Sequence, residues 1–174
     1  MTKILVAYAT AAGSTAEVAE AVGEAMRSEG TQVDVRQAKT VTDLAAYDAV
    51  VLGSGVRASR IYGEAIKFIQ NHQDALSKVP VAYFVVCMTM QENTEACRLQ
   101  AQEFVDQMVA AAPSVQPVDT GLFGGLMDYE RISWLLRLLI QHVIKQQEGD
   151  ARDWDAIRAW ARELQPALAS ALSR

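Results

Sequence analysis

Two stretches of this chain are apolar without interruption over the length of a strand: residues 4–9 (Ile-Leu-Val-Ala-Tyr-Ala) and the run from Val81 to Met88 that Pro80 opens. A strand with one wet face alternates, whereas a strand covered on both faces does not, so these runs read as the middle of a parallel sheet. Tyr47 to Gly53 has the same character, residues 32–37 alternate like a less buried strand, and 115–123 supply a fifth. Helical spacing fills the intervals. Val18, Ala21, Val22, Ala25 and Met26 step by three or four, with Gly30 as the C-cap. Ala65, Phe68, Ile69, His72 and Leu76 mark a second helix, and Phe104, Met108 and Ala111 a third from about Asn93 to Ala112, stopped by Pro113. Trp154, Ile157, Ala161, Leu164, Leu168 and Leu172 close the chain with a fourth. Strands alternating with helices imply βαβ units, hence an α/β domain with helices on both faces of the sheet. At 174 residues the chain is read as one domain, 1–174, with an insertion at about 124–149.

Composition removes several classes of function. A net charge of −5 disfavours a nucleic-acid partner, because phosphate neutralisation needs a basic surface. No apolar run reaches the roughly 18 residues of a membrane span. Two cysteines ten residues apart, Cys87 and Cys97, and two histidines, His72 and His142, match no metal spacing and no CxxC motif, and a Cys87–Cys97 disulfide is not expected. Met1-Thr2-Lys3-Ile4-Leu5-Val6 turns polar before a secretory core could form, which predicts a cytoplasmic, metal-free protein.

The chemistry is expected at the carboxyl ends of the strands. The turn after strand one, Thr10-Ala11-Ala12-Gly13-Ser14-Thr15, runs directly into a helix. Gly13 permits positive φ or a close approach, Thr10, Ser14 and Thr15 bring hydroxyls, and the helix start brings unpaired N–H groups. That is a phosphate cradle with no cation in it, unlike the GxxxxGK[ST] of a nucleotide triphosphate site. It suits a single terminal phosphate monoester. The alternative is plain capping by Ser14 or Thr15, with Glu17 or Glu20 favouring the dipole.

Tyr8-Ala-Thr10-Ala-Ala-Gly13-Ser-Thr15 resembles the FMN phosphate loop of flavodoxins, (S/T)-x-T-G-x-T, with Ala12 where a second Thr is usual. Three further segments resemble the flavodoxin-like, menaquinone-dependent protoporphyrinogen dehydrogenases of heme biosynthesis. They are Gly53-Ser-Gly-Val-Arg57-Ala-Ser-Arg60-Ile-Tyr62, the insertion with Gly124, Tyr129, Trp134 and Arg137, and Glu148-Gly-Asp150-Ala-Arg152-Asp153-Trp154. The resemblance implies a five-stranded sheet in the order 2-1-3-4-5 and an FMN cofactor held by Thr10, Ala11, Ala12, Gly13, Ser14 and Thr15.

By the same resemblance the second loop, with Gly55, Val56 and Arg57, and the third, with Met88, Thr89 and Met90, contact the flavin. Gly55 would allow a peptide rearrangement near flavin N5. Arg57 is either an ordinary surface cation or a cation near the ring or an anionic substrate, and it is the one catalytic candidate. Tyr62 could stack on the ring or cover the next helix. Gly53-x-Gly55-x-x-Ala58 also fits G-x-G-x-x-A, but it follows strand three, the wrong place for a dinucleotide fingerprint. The third loop lacks an aromatic, so Met88 and Met90 would give softer packing and a more open flavin face.

In the insertion, Ser133, Arg137 and Gln141 form a narrow polar stripe on an apolar helix. Such a helix packs on its own domain or in a homodimer through 131–145, or covers the site and meets an apolar substrate, a quinone or a membrane surface. Arg131, Arg137, His142 and Lys145 could face lipid phosphates or porphyrin propionates, giving weak peripheral attachment at the inner face of the membrane. The expectation is an FMN oxidoreductase passing electrons from a porphyrinogen-like substrate to a quinone; the alternative is a flavodoxin-type shuttle with a redox-protein partner and no substrate of its own. A response-receiver domain lacks its acidic residues here.

Overall fold

The computed structural model describes residues 1–11, 13–127 and 149–172. Five parallel strands form the sheet: β1 (Thr2–Ala9), β2 (Thr31–Gln37), β3 (Ala49–Arg57), β5 (Val81–Cys87) and β6 (Asp119–Gly124). Their spatial order is β2-β1-β3-β5-β6, the expected order once the short β4 (Arg60–Ile61) is set aside. That sixth strand pairs antiparallel with the end of β3, through Val56↔Ile61 and Arg57↔Arg60. β3 therefore runs four residues beyond the expected end at Gly53, because the β4 ladder takes up backbone groups that a loop would have left to water. A separate two-stranded ladder, β7 (Leu126–Met127) with β8 (Gly149–Asp150), was not legible in the sequence.

Helix α1 (Ser14–Met26) and α4 (Trp154–Leu172) cover one face of the sheet, and α2 (Gly63–Leu76) and α3 (Glu95–Ala111) the other. Each face has its own core. Ile4, Val6, Val51 and Phe84 meet Val18, Val22, Ile157, Ala161 and Leu164 on the α1/α4 side. Leu5, Leu52, Tyr83 and Val85 meet Phe68, Ile69, Phe104, Val105 and Met108 on the α2/α3 side. All seven residues of β5 are buried, which explains why its run does not alternate.

Boundaries moved where backbone bonding decided them. α3 starts late because Thr94 is its cap, its hydroxyl accepting from the Cys97 N–H at 3.2 Å. The fifth parallel strand starts at Asp119, since Val115 closes a turn by donating to the Ala112 carbonyl at 2.9 Å. Gly30 does not cap α1, which ends at Met26; it sits at φ 88° in the turn to β2, where its carbonyl accepts from the Thr2 N–H. Cys87 is buried at the end of β5, and Cys97 lies on α3. Arg131, Ser133, Arg137, Gln141, His142 and Lys145 lie outside the described residues, as do Tyr129 and Trp134.

Candidate functional site

The chain leaves β1 toward β2 on one side and returns to β3 on the other, so the crevice between β1 and β3 is the switch point of the sheet. The turn Thr10–Gly13 stands on it. Gly13 is left-handed (φ 88°, ψ −13°), a conformation in which a Cβ would be strained, and its N–H donates to Thr10 Oγ1 at 3.0 Å. The Gly13 carbonyl accepts from the N–H groups of Ala16 and Glu17 at 3.1 and 3.3 Å. Among the described residues, the N–H groups of Ser14 and Thr15 have no acceptor, and no side chain caps α1. Thr10 and Gly13 thus hold the turn from within, and two amide donors remain at the positive end of a 13-residue helix. Capping by Ser14 or Thr15 is not what the turn does. Ala11 is exposed, and Ala12 lies outside the described residues.

The second segment touches the first. A Cβ on Gly55 would stand 2.9 Å from Thr15 Oγ1 and 2.8 Å from Tyr62 Cε2, so glycine lets β3 pass between the start of α1 and the Tyr62 ring. Its φ is not in the left-handed region, so the need at Gly55 is space. Residues 57–60 form a two-residue hairpin with Ala58 and Ser59 at its tip, both at positive φ (50° and 59°). Two central residues at positive φ define the tightest hairpin turn, usually an Asn-Gly or Asp-Gly sequence.

The hairpin is braced from two sides. The Ser54 hydroxyl, fully buried, donates to the Gly55 carbonyl at 2.8 Å and accepts from the Tyr62 N–H at 3.1 Å. From α3, Gln107 accepts from the Ile61 N–H and donates to the Ser59 carbonyl, both at 3.3 Å. Val56 is half-buried and packs on the α2/α3 core, which turns it away from the α1 side of the sheet, whereas Arg57 is exposed on the hairpin. Gln107 was not among the residues expected to shape the site, whereas Ser54 belongs to the second loop and Tyr62, read as stacking on the ring or covering the next helix, packs on the α2/α3 core.

The third segment is a tight turn, Met88–Gln91. Met88 and Thr89 are half-buried at its mouth, but Met90 turns inward and is 8% exposed in the α2/α3 core, so it does not form a wall with Met88. Met88 lies beside the end of β6, where the Gly125 N–H donates to the Cys87 carbonyl at 3.1 Å. Burial, chiefly, pushes the Cys87 thiol pKa up, as expected of a small core residue rather than a nucleophile.

No cation lies within the turn, but the fold brings one to the first turn of α1. Arg152, just after β8, ion-pairs through Nη1 with Glu17 in the first turn of α1. It also grips Asp150 through Nε and Nη2 at 2.8 and 2.7 Å and stacks on Trp154, 4.6 Å from the ring centroid. The Asp150 hydrogen bonds chiefly, and then Glu17, push the Arg152 pKa up despite partial burial. The guanidinium is therefore already bound on both sides, and the donors left at the turn are neutral amides. The pairing spans 135 positions of sequence, and the Asp150–Trp154 segment was its only local sign.

The fold and these three segments define a doubly wound α/β protein whose strand order reverses at the β1/β3 crevice. A family model described as a flavodoxin domain matches residues 5–153, and the chain belongs to that family. It is 27% identical to a protein of Leishmania major named protoporphyrinogen IX dehydrogenase [quinone], over 93% of this chain and 74% of that one. It is 23% identical to a protein of Escherichia coli K12 with the same name, over 93% and 94%. A solved archaeal flavodoxin superposes with a TM-score of 0.59 at 16% identity, covering 97% of this chain and 99% of that one, which shows the shared fold. No helix among the described residues is long and apolar enough to cross a membrane, and no group of three or more His, Cys, Asp or Glu among them could hold a metal ion.

Proposed function

We propose that this chain is an FMN-dependent oxidoreductase that takes electrons from a porphyrinogen, as the two named relatives do by their names, and delivers them to a quinone. The observation that carries the reading is the turn Thr10–Thr15. Its two unclaimed amides, held by the left-handed Gly13, open on the crevice where Gly55 and Tyr62 close against Thr15.

The residues present fit the cofactor. A ribityl phosphate needs several N–H and O–H donors at a helix start and no bulky side chain beside it. The Ser14 and Thr15 amides would donate to it. The Thr10 oxygen is engaged by Gly13, so its O–H remains to donate as well. Met88 and Thr89 on one side and the β3–β4 hairpin on the other would border the ring, with Gly55 keeping the approach clear. When bound, FMN supplies a ring that accepts and returns two electrons. The protein's part is to hold the phosphate, orient the ring and limit water around it.

The second reading, an electron carrier with no substrate of its own, is favoured by the structural likeness to flavodoxins. One anaerobic experiment separates them. The protein is loaded with FMN and mixed with protoporphyrinogen IX, then with a menaquinone analogue. Bleaching of the flavin near 450 nm by the porphyrinogen alone, followed by recovery with the quinone, is expected. Bleaching that requires a ferredoxin or a reductase would favour the carrier, and a chain that takes up no FMN would end both readings.

A further inference from the structure

We propose that Arg57 and Arg60 form a two-guanidinium clamp for the paired carboxylates of a largely apolar dianion, the chemical class to which a dicarboxylic tetrapyrrole belongs; this rests on the oxidoreductase reading above. The two residues are directly opposed in the β3–β4 ladder, where Cα atoms lie about 5 Å apart. Like charges so placed repel. Neither guanidinium has an ion pair or hydrogen bond among the described residues.

The hairpin that carries them is itself held in an unfavourable shape. Ala58 and Ser59 both sit at positive φ with no glycine, which is sustained by the Ser54 and Gln107 hydrogen bonds at its base and flank. Strain and repulsion both fall on one point.

Position supplies the direction. Residues of β3 alternate: Leu52 and Val56 face the α2/α3 core, while Val51 and Gly55 face α1, Gly55 against Thr15. Arg57 continues the second row one step past Gly55, and Arg60 stands across from it. A guanidinium pair here reaches beyond the crevice and meets the carboxylates of a molecule whose apolar body lies inward, next to Tyr62. Arginine is suited to this because its fork takes a carboxylate through two parallel hydrogen bonds.

The test uses the full chain loaded with FMN, with protoporphyrin IX and its dimethyl ester as probes and porphyrin fluorescence as the readout. Wild type is expected to bind the diacid at least about tenfold more tightly than the diester. Read at saturating FMN, R57Q/R60Q should bring the two within about twofold, and R57K/R60K should retain part of the preference. Both side chains are exposed, so the variant should fold with undiminished stability, checked by urea unfolding. An unchanged diacid preference in R57Q/R60Q overturns the proposal, as does a wild type that binds neither probe. Loss of FMN affinity instead would assign the pair to the cofactor and also overturn it. Loss of binding to phosphatidylglycerol vesicles, with porphyrin preference unchanged, would assign it to lipid and do the same. An arginine-dependent preference in a protein that does not oxidise protoporphyrinogen would leave the clamp standing and remove the proposed reaction.

Discussion

Substituting Gly55 by alanine tests whether the second segment positions the first. The backbone there is open to any residue, so the change adds a methyl group and little else. That methyl would lie 2.8 Å from Tyr62 Cε2 and 2.9 Å from Thr15 Oγ1, about half an ångström short of ordinary contact on both sides. The Tyr62 ring is half-buried and can swing. Thr15 is 1% exposed in the first turn of α1 and cannot move without moving the helix start. Overpacking of this size costs about 1–3 kcal/mol, the lower figure if Tyr62 absorbs it.

The functional consequence of Gly55→Ala should be larger than the structural one. A shift of the helix start misaligns the Ser14 and Thr15 amides, and a hydrogen bond to a charged phosphate is worth about 1.5–3 kcal/mol. FMN affinity should therefore fall about tenfold or more. The assays are urea unfolding of the cofactor-free protein and quenching of FMN fluorescence on titration. Gly63→Ala is the control: no atom lies within 4 Å of its Cβ, so the variant should match or slightly exceed wild type in stability and leave FMN binding alone. If Gly55→Ala binds FMN as tightly as wild type at the same urea midpoint, the coupling between β3 and the turn is refuted.

Other outcomes follow from contacts elsewhere. The Tyr83 hydroxyl is buried on β5 with no partner among the described residues, and burial pushes its pKa up to about 12. The folded state thus holds this proton more tightly than the unfolded chain does, so its stabilisation is complete below pH 10 and fades as pH rises through 12. Tyr83→Phe should equal or exceed wild type at pH 7 and lose less stability above pH 10, read from urea midpoints across that range. Arg152→Gln should lower stability by about 1–3 kcal/mol, discounted for the partial exposure of its carboxylate partners, and the difference from wild type should shrink in 1 M salt. Ala58→Asn with Ser59→Gly suits the hairpin's positive φ angles and should raise stability by about 1–2 kcal/mol in the same assay.

How far the sequence could be read depended on how local the cause was. The uninterrupted run of β5 and the three-four spacing of α4 reflect burial along single elements, and both elements stand where the pattern put them. The left-handed glycine turn into α1, proposed above to hold a phosphate, was legible for the same reason: a strand, a short turn and a helix contain its geometry. The hairpin was not, since Ala58-Ser59 lacks the Asn-Gly chemistry that signals such a turn, and its support comes from Gln107 on a distant helix. Met90 looked like Met88's companion, but the tight turn sends side chains two positions apart different ways. Arg152 at Glu17 needed the whole fold to bring two ends of the chain together.

The small β7–β8 ladder joins residues 126–127 to 149–150, so the two ends of everything between them are fastened side by side. Pairing at both ends fixes the chain's exit and return independently of what lies between. Replacing residues 128–148 by a two-residue turn would leave Gly125 bonded to Cys87, Ala151 to Gly125 and Arg152 to Asp150. The ladder thus fixes where the chain leaves the sheet and where it rejoins it, so the β1/β3 crevice does not depend on the length of chain between residues 127 and 149.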